Sequence, residues 1–199
     1  KGLVFIHFLS DVIKEMNKIR EKNGLPKKHP KLAVLLPVSA AIGSKDIIKK
    51  EKKAMLAENT LEAVFTLPDE IFYPGASACA CCMLFTLGKK HPKEIKTFFG
   101  FCKDDGFKKK KNLGRVEQFD EDNNSKWKII EDKWLTAFKN KTVEDGFSAM
   151  VHVDGDDEWL CEAYMKTDFT TLCKEDFQST INNYLAYLVK EGKIYESIK

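Results

Sequence analysis

Two apolar segments of strand length, LEAVFTLP and SACACCMLFTL, are separated only by the link PDEIFYPGAS, which has about ten residues. A crossover between parallel strands needs a dozen or more residues and usually contains a helix. The link is too short for such a crossover. We therefore expect the strand that follows the link to run antiparallel to the strand that precedes it.

The residues before this pair predict a helix, a strand and a second helix. Apolar residues recur at helical spacing over residues 3–22, and Gly24 ends the pattern. The run KLAVLLPVS predicts a strand buried on both faces of a parallel sheet, and Ser44 can cap a helix over roughly 45–57. The order strand, helix, strand suits a parallel crossover between the first two strands. With IKTFFGFC as a fourth strand, the expected fold class is α/β.

A mainly helical extension is expected over residues 117–199, after a first part formed by residues 1–116. NNSKWKIIEDKWLTAFKN predicts a helix, AMVHV a short strand, and DGDDEWLCEAYM a turn that runs into a helix start. A final helix stops at Gly192 and has one apolar stripe, which must be buried against something, either the helix around Trp127 and Trp134 or a partner. The stripe consists of Phe177, Ile181, Tyr184, Leu185 and Leu188.

Composition narrows the location and the class of protein. The 199 residues have a net charge of +3 with 32% charged residues, too weakly basic for overall charge to indicate nucleic acid. No apolar run approaches the ~18–20 residues that span a bilayer. The chain begins with Lys1 rather than Met, and we interpret it as a piece of a longer protein. Abundant lysine and irregularly spaced cysteines are typical of the reducing cytoplasm.

Three of the six cysteines, Cys79, Cys81 and Cys82, lie almost side by side. In a strand, Cys79 and Cys81 point to one face and Cys82 to the other, so the three thiolates cannot converge on one ion. No C-x-x-C redox pair is present. We expect residues 79–82 to be a buried strand that uses cysteine as a small hydrophobic residue and holds no metal. The acidic cluster 154–158 lacks the spacing of a calcium loop.

Two groups of residues are candidates for binding. Phe72 and Tyr73 lie in the link, followed by Pro74 and Gly75. They can form a hydrophobic plug at the end of the sheet or a binding surface. A lysine-rich charged loop can be merely solvated, or it can contact nucleic-acid phosphates, which Lys and Arg bind without regard to sequence. Its basic residues are Lys108, Lys109, Lys110, Lys111 and Arg115.

The series LAVLLPVSAAIG, a helix, NTLEAVFTLPDEIFYPGASACACCMLFTLGKK, a strand and DDGFKKKKNLGR resembles the C-terminal half of the N6-adenine DNA methyltransferases. The closest likeness is to the modification subunits of type I restriction-modification systems and to related fused restriction-methylation enzymes. This resemblance covers residues 1–116 and implies a Rossmann-like sheet with an antiparallel terminal hairpin. DEWLCEAYMKTDFTTLCKEDF resembles the helical extension that follows the methylase domain in some members.

The resemblance also implies a reaction, the transfer of a methyl group from S-adenosylmethionine to adenine N6 in double-stranded DNA. Members bind the cofactor at a glycine-rich turn and catalyse with a tetrapeptide that contains Pro-Pro. This chain has neither, so it is expected to be inactive alone. An aromatic residue between the last two strands of the family packs on the flipped adenine. The matching residue is Phe72, with Tyr73 next best.

Two further readings of function stay open. In the first, the chain is a non-enzymatic assembly module whose tail helices dock a DNA-specificity subunit or a second methylase copy. Trp127, Trp134, Trp159 and Tyr184 favour such an interface. In the second, the protein is a related methyltransferase that acts on protein glutamine or RNA. The long link and the appended tail argue against this second reading.

Overall fold

The computed structural model describes residues 2–170 and 172–193. Within it the chain forms two compact units, Lys1–Lys166 and Thr167–Lys199. The first unit contains every strand and four helices of the described chain, and the second contains the last helix, α5 (Lys174–Lys190). This boundary lies well after residue 116, where the sequence placed the start of the extension.

The main sheet has five strands in the order β1-β3-β2-β4-β7. Strand β3 runs antiparallel to β2, as the short link predicts, and β4 runs parallel to β2. Strand β7 pairs antiparallel with β4, so AMVHV of the predicted extension belongs to this sheet. The strands are β1 (Lys31–Pro37), β2 (Thr60–Thr66), β3 (Ala80–Thr86), β4 (Thr97–Phe101) and β7 (Ser148–Val151).

Strand β1 corrects one expectation. It lies at the edge of the sheet and pairs antiparallel with β3, although the sequence predicted a strand buried on both faces of a parallel sheet. Alternate side chains of β1 face solvent, and Leu35 is 54% exposed. Strands β1 and β2 do run in the same direction, but β3 lies between them. An apolar run shows that a segment is hydrophobic, but it does not show where the segment lies in a sheet. That position is decided by pairing with distant segments.

Helices cover both faces of the sheet. On one face, Ile6 of α1 (Gly2–Lys22) and Met55 of α3 (Asp46–Glu58) belong to a core that includes Val64, Met83 and Phe99. On the other face, a smaller cluster joins strand residues Ala63 and Phe98 to Ala137 of α4 (Lys126–Asn140). The two faces of the strands alternate between these clusters, which is the period expected of a sheet with apolar packing on both sides.

Two local predictions are also corrected. Helix α3 begins after Lys45, without a side-chain cap, so Ser44 does not cap it. The charged loop is instead a two-stranded hairpin, in which β5 (Phe107–Lys110) pairs antiparallel with β6 (Gly114–Glu117). A short helix, α2 (Ser39–Ile42), follows β1, and a single 3-10 turn forms at Cys161–Ala163.

The stripe of the final helix α5 lies in the second compact unit. Phe177, Ile181, Tyr184 and Leu185 are exposed, whereas Leu188 is buried. Helix α5 ends at Lys190, and Gly192 adopts a positive φ of 68° just beyond it, consistent with the predicted stop. Among the helices of the described residues, none is long and apolar enough to cross a membrane.

Candidate functional site

The carboxyl ends of β1, β2 and β4 meet at one edge of the main sheet, because these three strands run in the same direction. Ligand sites of open α/β sheets form at this edge. The loop after β2, residues 67–79, and the segment after β4, residues 102–106, both begin here. The second segment leads directly into the hairpin β5–β6. The edge therefore brings together the two groups of candidate residues found in the sequence.

Residues 69–75, which we call the aromatic loop, form a series of tight turns. The Tyr73 N–H donates to the Glu70 carbonyl at 3.0 Å, and the Ala76 N–H donates to the Phe72 carbonyl at 3.1 Å. Phe72 is 39% exposed and lines a small, mostly apolar cavity of about 110 Å³ with Pro37 and Cys79. The Phe72 ring is therefore partly packed against the sheet edge and partly available to a ligand.

The lysine hairpin, which we define as residues 107–117, contacts the aromatic loop directly. Lys109 Nζ donates to Glu70 Oε1 at 2.9 Å and lies 4.4 Å from the centroid of the Tyr73 ring. Before the hairpin, the Lys103 ammonium pairs with Asp69. The structure thus connects Tyr73 to one of the predicted lysines. The roles of Phe72 and Tyr73 in base stacking stay predictions.

The remaining basic residues of the hairpin differ in how fully their charges are matched. Lys108, Lys110 and Lys111 are exposed. Arg115 donates to both carboxylate oxygens of Asp105 at 2.6 and 2.7 Å, and its side chain is only 15% exposed. The guanidinium also lies 5.5 Å from the Phe107 ring centroid. The charge of Arg115 is thus already paired at the base of the hairpin, and the DNA contacts of Arg115 and of the lysines stay predictions.

A second segment that sequence reasoning did not assign to the site also reaches this edge. The Thr66 hydroxyl at the end of β2 donates to Glu162 Oε2 at 2.6 Å. The Tyr164 ring lies 5.0 Å from that of Phe99 on β4. Glu162 is exposed, so the chain places a carboxylate beside the end of β2. Its only sequence signal is an acidic residue in an otherwise apolar segment, which does not reveal a contact with Thr66.

Residues of the acidic cluster 154–158 contact two lysines of α3. Lys52 is 1% exposed, its ammonium donates to the Ala41 carbonyl at 2.9 Å and to the Asp157 carbonyl, and it lies 5.1 Å from the Trp159 ring centroid. Burial lowers the pKa of Lys52. Lys53 pairs with Asp156 at 2.6 Å. These contacts fix the cluster against α3, beside α2.

The clustered cysteines differ in how deeply they are buried. Cys81 is fully buried in the core under α1 and α3, whereas Cys82 lies on the opposite face and lines an apolar cavity with Phe65 and Leu135. Cys79 corrects the sequence prediction, because it is exposed and precedes β3, which begins at Ala80. Burial raises the pKa of Cys81 to about 12, which holds this thiol in its unreactive protonated form.

The described residues contain no group of three or more His, Cys, Asp or Glu side chains placed to hold a metal ion. His91 is buried, and its Nδ1 has no hydrogen-bond partner among the residues that the structure describes. Burial lowers the pKa of His91. Three carboxylates near the sheet edge are instead paired with cations, namely Asp69 with Lys103, Glu70 with Lys109 and Asp105 with Arg115.

Comparisons with known proteins identify relatives of this chain. Residues 26–184 match the model of the N-6 DNA Methylase family. A protein of Heyndrickxia coagulans described as "Type II restriction enzyme and methyltransferase RM.BcgI" is 31% identical over 170 residues, which are 83% of this chain. The chain spans 25% of the length of that relative.

Two solved structures give matches of different strength. The methyltransferase subunit of a type I restriction-modification system from Streptococcus thermophilus superposes with a TM-score of 0.52 at 19% identity, over 71% of this chain and 28% of that one. A modification subunit of a putative type I restriction enzyme from Vibrio vulnificus YJ016 gives a TM-score of 0.42 at 14% identity, over 66% of this chain and 29% of that one. The first of these likenesses shows the fold alone.

Proposed function

Because the chain belongs to the N-6 DNA Methylase family, we propose that it forms the target-base side of an adenine-N6 methyltransferase of a restriction-modification system. In this proposal, the main sheet is the C-terminal half of a Rossmann-like methyltransferase sheet, in which the antiparallel pair β2–β3 lies between β1 and β4. The substrate is double-stranded DNA. Residues 1–116 contain the strands that carry the aromatic loop.

The observation that carries the proposal is the position of the aromatic loop beside the lysine hairpin, at the carboxyl edge of the sheet. An enzyme that modifies adenine N6 must extrude the base from the duplex and then hold it by stacking. Phe72 offers a partly exposed ring at this edge. The exposed lysines beside it can bind the phosphates that flank an extruded base. The two chemistries needed for a flipped nucleotide therefore occur together.

The cofactor of the family, S-adenosylmethionine, does not fit a site made by this chain alone. Strand β1 runs almost directly into α2, without a glycine-rich turn. The Ala41 carbonyl in α2 already accepts hydrogen bonds from Lys52 and from the Trp159 N–H. The chain also lacks a Pro-Pro pair. We infer that other parts of the complete protein supply the cofactor site and the catalytic tetrapeptide, and that this chain alone transfers no methyl group.

The test is the substitution Phe72→Ala in the complete protein, with 2-aminopurine at the target adenine of a DNA duplex. Loss of the stacking ring is expected to weaken the extruded state by about 1–3 kcal/mol, because that is the usual contribution of one base–aromatic stack. The fluorescence of the extruded base should fall. The methylation rate, measured on a matched duplex that keeps adenine because 2-aminopurine has no N6 amino group, should also fall, whereas the affinity for S-adenosylmethionine should hardly change.

The matched control is Phe119→Ala, which removes an exposed phenylalanine of the same compact unit. This variant should extrude and methylate the target base like the wild type. If Phe72→Ala also behaves like the wild type, Phe72 is a plug at the sheet end and the proposed role is refuted.

A second candidate function has one specific observation in its favour. Helix α5 exposes four apolar side chains of one stripe, Phe177, Ile181, Tyr184 and Leu185. Such a stripe is typical of a helix that packs against another surface. The chain can therefore also serve as an assembly module that docks a DNA-specificity subunit or another methylase or restriction subunit. Wild-type base extrusion by Phe72→Ala would make this the leading function.

A further inference from the structure

The lysine hairpin presents its lysines in two different environments. Side chains of successive residues in a strand point to opposite sides, so Lys108 and Lys110 share one side of β5, and Phe107 and Lys109 share the other. Lys109 is paired in register with Arg115, whose guanidinium lies 5.5 Å from the Phe107 ring centroid. Lys109 therefore lies on the side of the hairpin that carries the partly buried Phe107 and Arg115.

Lys109 is also the lysine of the run that contacts the aromatic loop. Its ammonium is bonded to Glu70 at 2.9 Å and lies over the Tyr73 ring at 4.4 Å from the centroid. The hydrogen bond with Glu70 raises the pKa of Lys109, so the group stays protonated. Glu70 and Tyr73 lie on either side of Phe72 in the sequence. Lys109 therefore contacts both ends of the turn that carries the Phe72 ring.

Two more contacts join the aromatic loop to the segment that follows β4, one before the hairpin and one within it. Lys103 pairs with Asp69 at the start of the aromatic loop. At the other end of the loop, Gly114 of β6 lies close to Pro74, since a Cβ atom on Gly114 would be 3.8 Å from Pro74 Cδ. The loop is thus held at its start, at its middle and at its end by residues that follow β4.

We propose that Lys109 is a positioning residue that holds the aromatic loop in place for base stacking, whereas Lys108 and Lys110 bind DNA phosphates. This inference rests on the proposed function of Phe72. A phosphate contact by Lys109 would require its ammonium to leave both Glu70 and Tyr73. The contacts with Glu70 and Tyr73, rather than burial, distinguish Lys109 from Lys108 and Lys110, because all three side chains are exposed.

The experiment compares Lys109→Ala with Lys108→Ala in the complete protein, with Lys50→Ala, an exposed lysine of α3, as the control. DNA affinity is measured against salt concentration, and base extrusion is measured by 2-aminopurine at saturating DNA. Lys108→Ala should weaken binding, reduce the salt slope by about one and leave extrusion intact. Lys109→Ala should keep the slope and lower extrusion and methylation at saturating DNA by about 3- to 10-fold.

Two further variants separate positioning from phosphate binding. Lys109→Arg keeps a cation for Glu70 and Tyr73, so it should restore extrusion. Glu70→Gln gives different results depending on whether Lys109 positions the loop or binds a phosphate. If Lys109 positions the loop, losing its anchor lowers extrusion as Lys109→Ala does. If Lys109 binds phosphate, releasing it from Glu70 strengthens DNA binding and leaves extrusion unchanged, which would overturn the inference.

Amide hydrogen exchange of residues 69–79 decides the inference independently of Phe72. Exchange should become several-fold faster in Lys109→Ala and in Glu70→Gln, and it should stay at the wild-type rate in Lys108→Ala. Unchanged exchange in Lys109→Ala refutes the positioning role. If exchange rises as expected while Phe72→Ala extrudes the base normally, the contact is real but the proposed function of Phe72 fails.

Discussion

Strand β3 and the aromatic loop shortly before it differ in the property that decides whether a side chain can meet a ligand. The strand holds two of the three clustered thiols that first suggest a metal or redox centre, yet Cys81 is buried and its burial raises the pKa of the thiol to about 12. The loop holds an ordinary phenylalanine that is partly exposed at the carboxyl edge of the sheet. The comparison teaches that the burial of a side chain and its position in the sheet, rather than its intrinsic reactivity, indicate which residues can meet a ligand.

The largest expected difference between these two regions is in stability. Met83 of β3 is completely buried, so Met83→Ala should lower the free energy of unfolding by about 2–5 kcal/mol, through lost apolar contact and the cavity left behind. Phe72→Ala should cost less, about 1–2 kcal/mol, because the Phe72 side chain is 39% exposed and only partly packed against the sheet edge. Urea unfolding of both variants measures the difference. Equal losses would show that the aromatic loop is part of the core.

A smaller effect is expected from alkaline pH. The thiol of Cys81 in the unfolded chain ionises near its ordinary pKa of 9.0, but the buried thiol resists ionisation until about pH 12. The folded state therefore holds a proton that the unfolded state releases, and stability falls as pH rises from about 9. Cys81→Ala should remove roughly 1 kcal/mol of the loss between pH 9 and 10.

Urea unfolding at several pH values checks this expectation, with Met83→Ala as the control, because Met83 has no titratable group. Met83→Ala should lower the free energy of unfolding by the same amount at every pH. If the wild type and Cys81→Ala have parallel curves, Cys81 ionises equally well in both states and the buried description of β3 is in error.

Much of the fold follows from local sequence features. Helical periodicity predicted α1, α4 and α5 closely, and the length of one link predicted the antiparallel return of β3. The edge position of β1 could not be predicted, because it depends on the insertion of β3 between β1 and β2. The N-terminal limit of α3 was misplaced because Ser44 is a good capping residue that the backbone does not use.

The sequence predicts a loop where the lysine hairpin lies, because four consecutive lysines have low strand propensity. The signal that could have revealed it is the sequence NLG after the lysines. Asn112 and Gly114 adopt positive φ values of 65° and 79°, which both residue types tolerate in tight turns. The contact of Lys109 with Glu70 joins residues on different loops of the sheet edge, so no local pattern could have predicted it.

The central claim is that the aromatic loop, rather than strand β3, faces the extruded base. The most direct measurement is photochemical cross-linking of the complete protein to a duplex with 5-iodouracil in place of the target adenine, followed by mass spectrometry of the cross-linked peptide. The account predicts a cross-link within residues 69–75, centred on Phe72 or Tyr73, and its loss or relocation in Phe72→Ala. Cross-links that form efficiently but only outside residues 69–75 would contradict it.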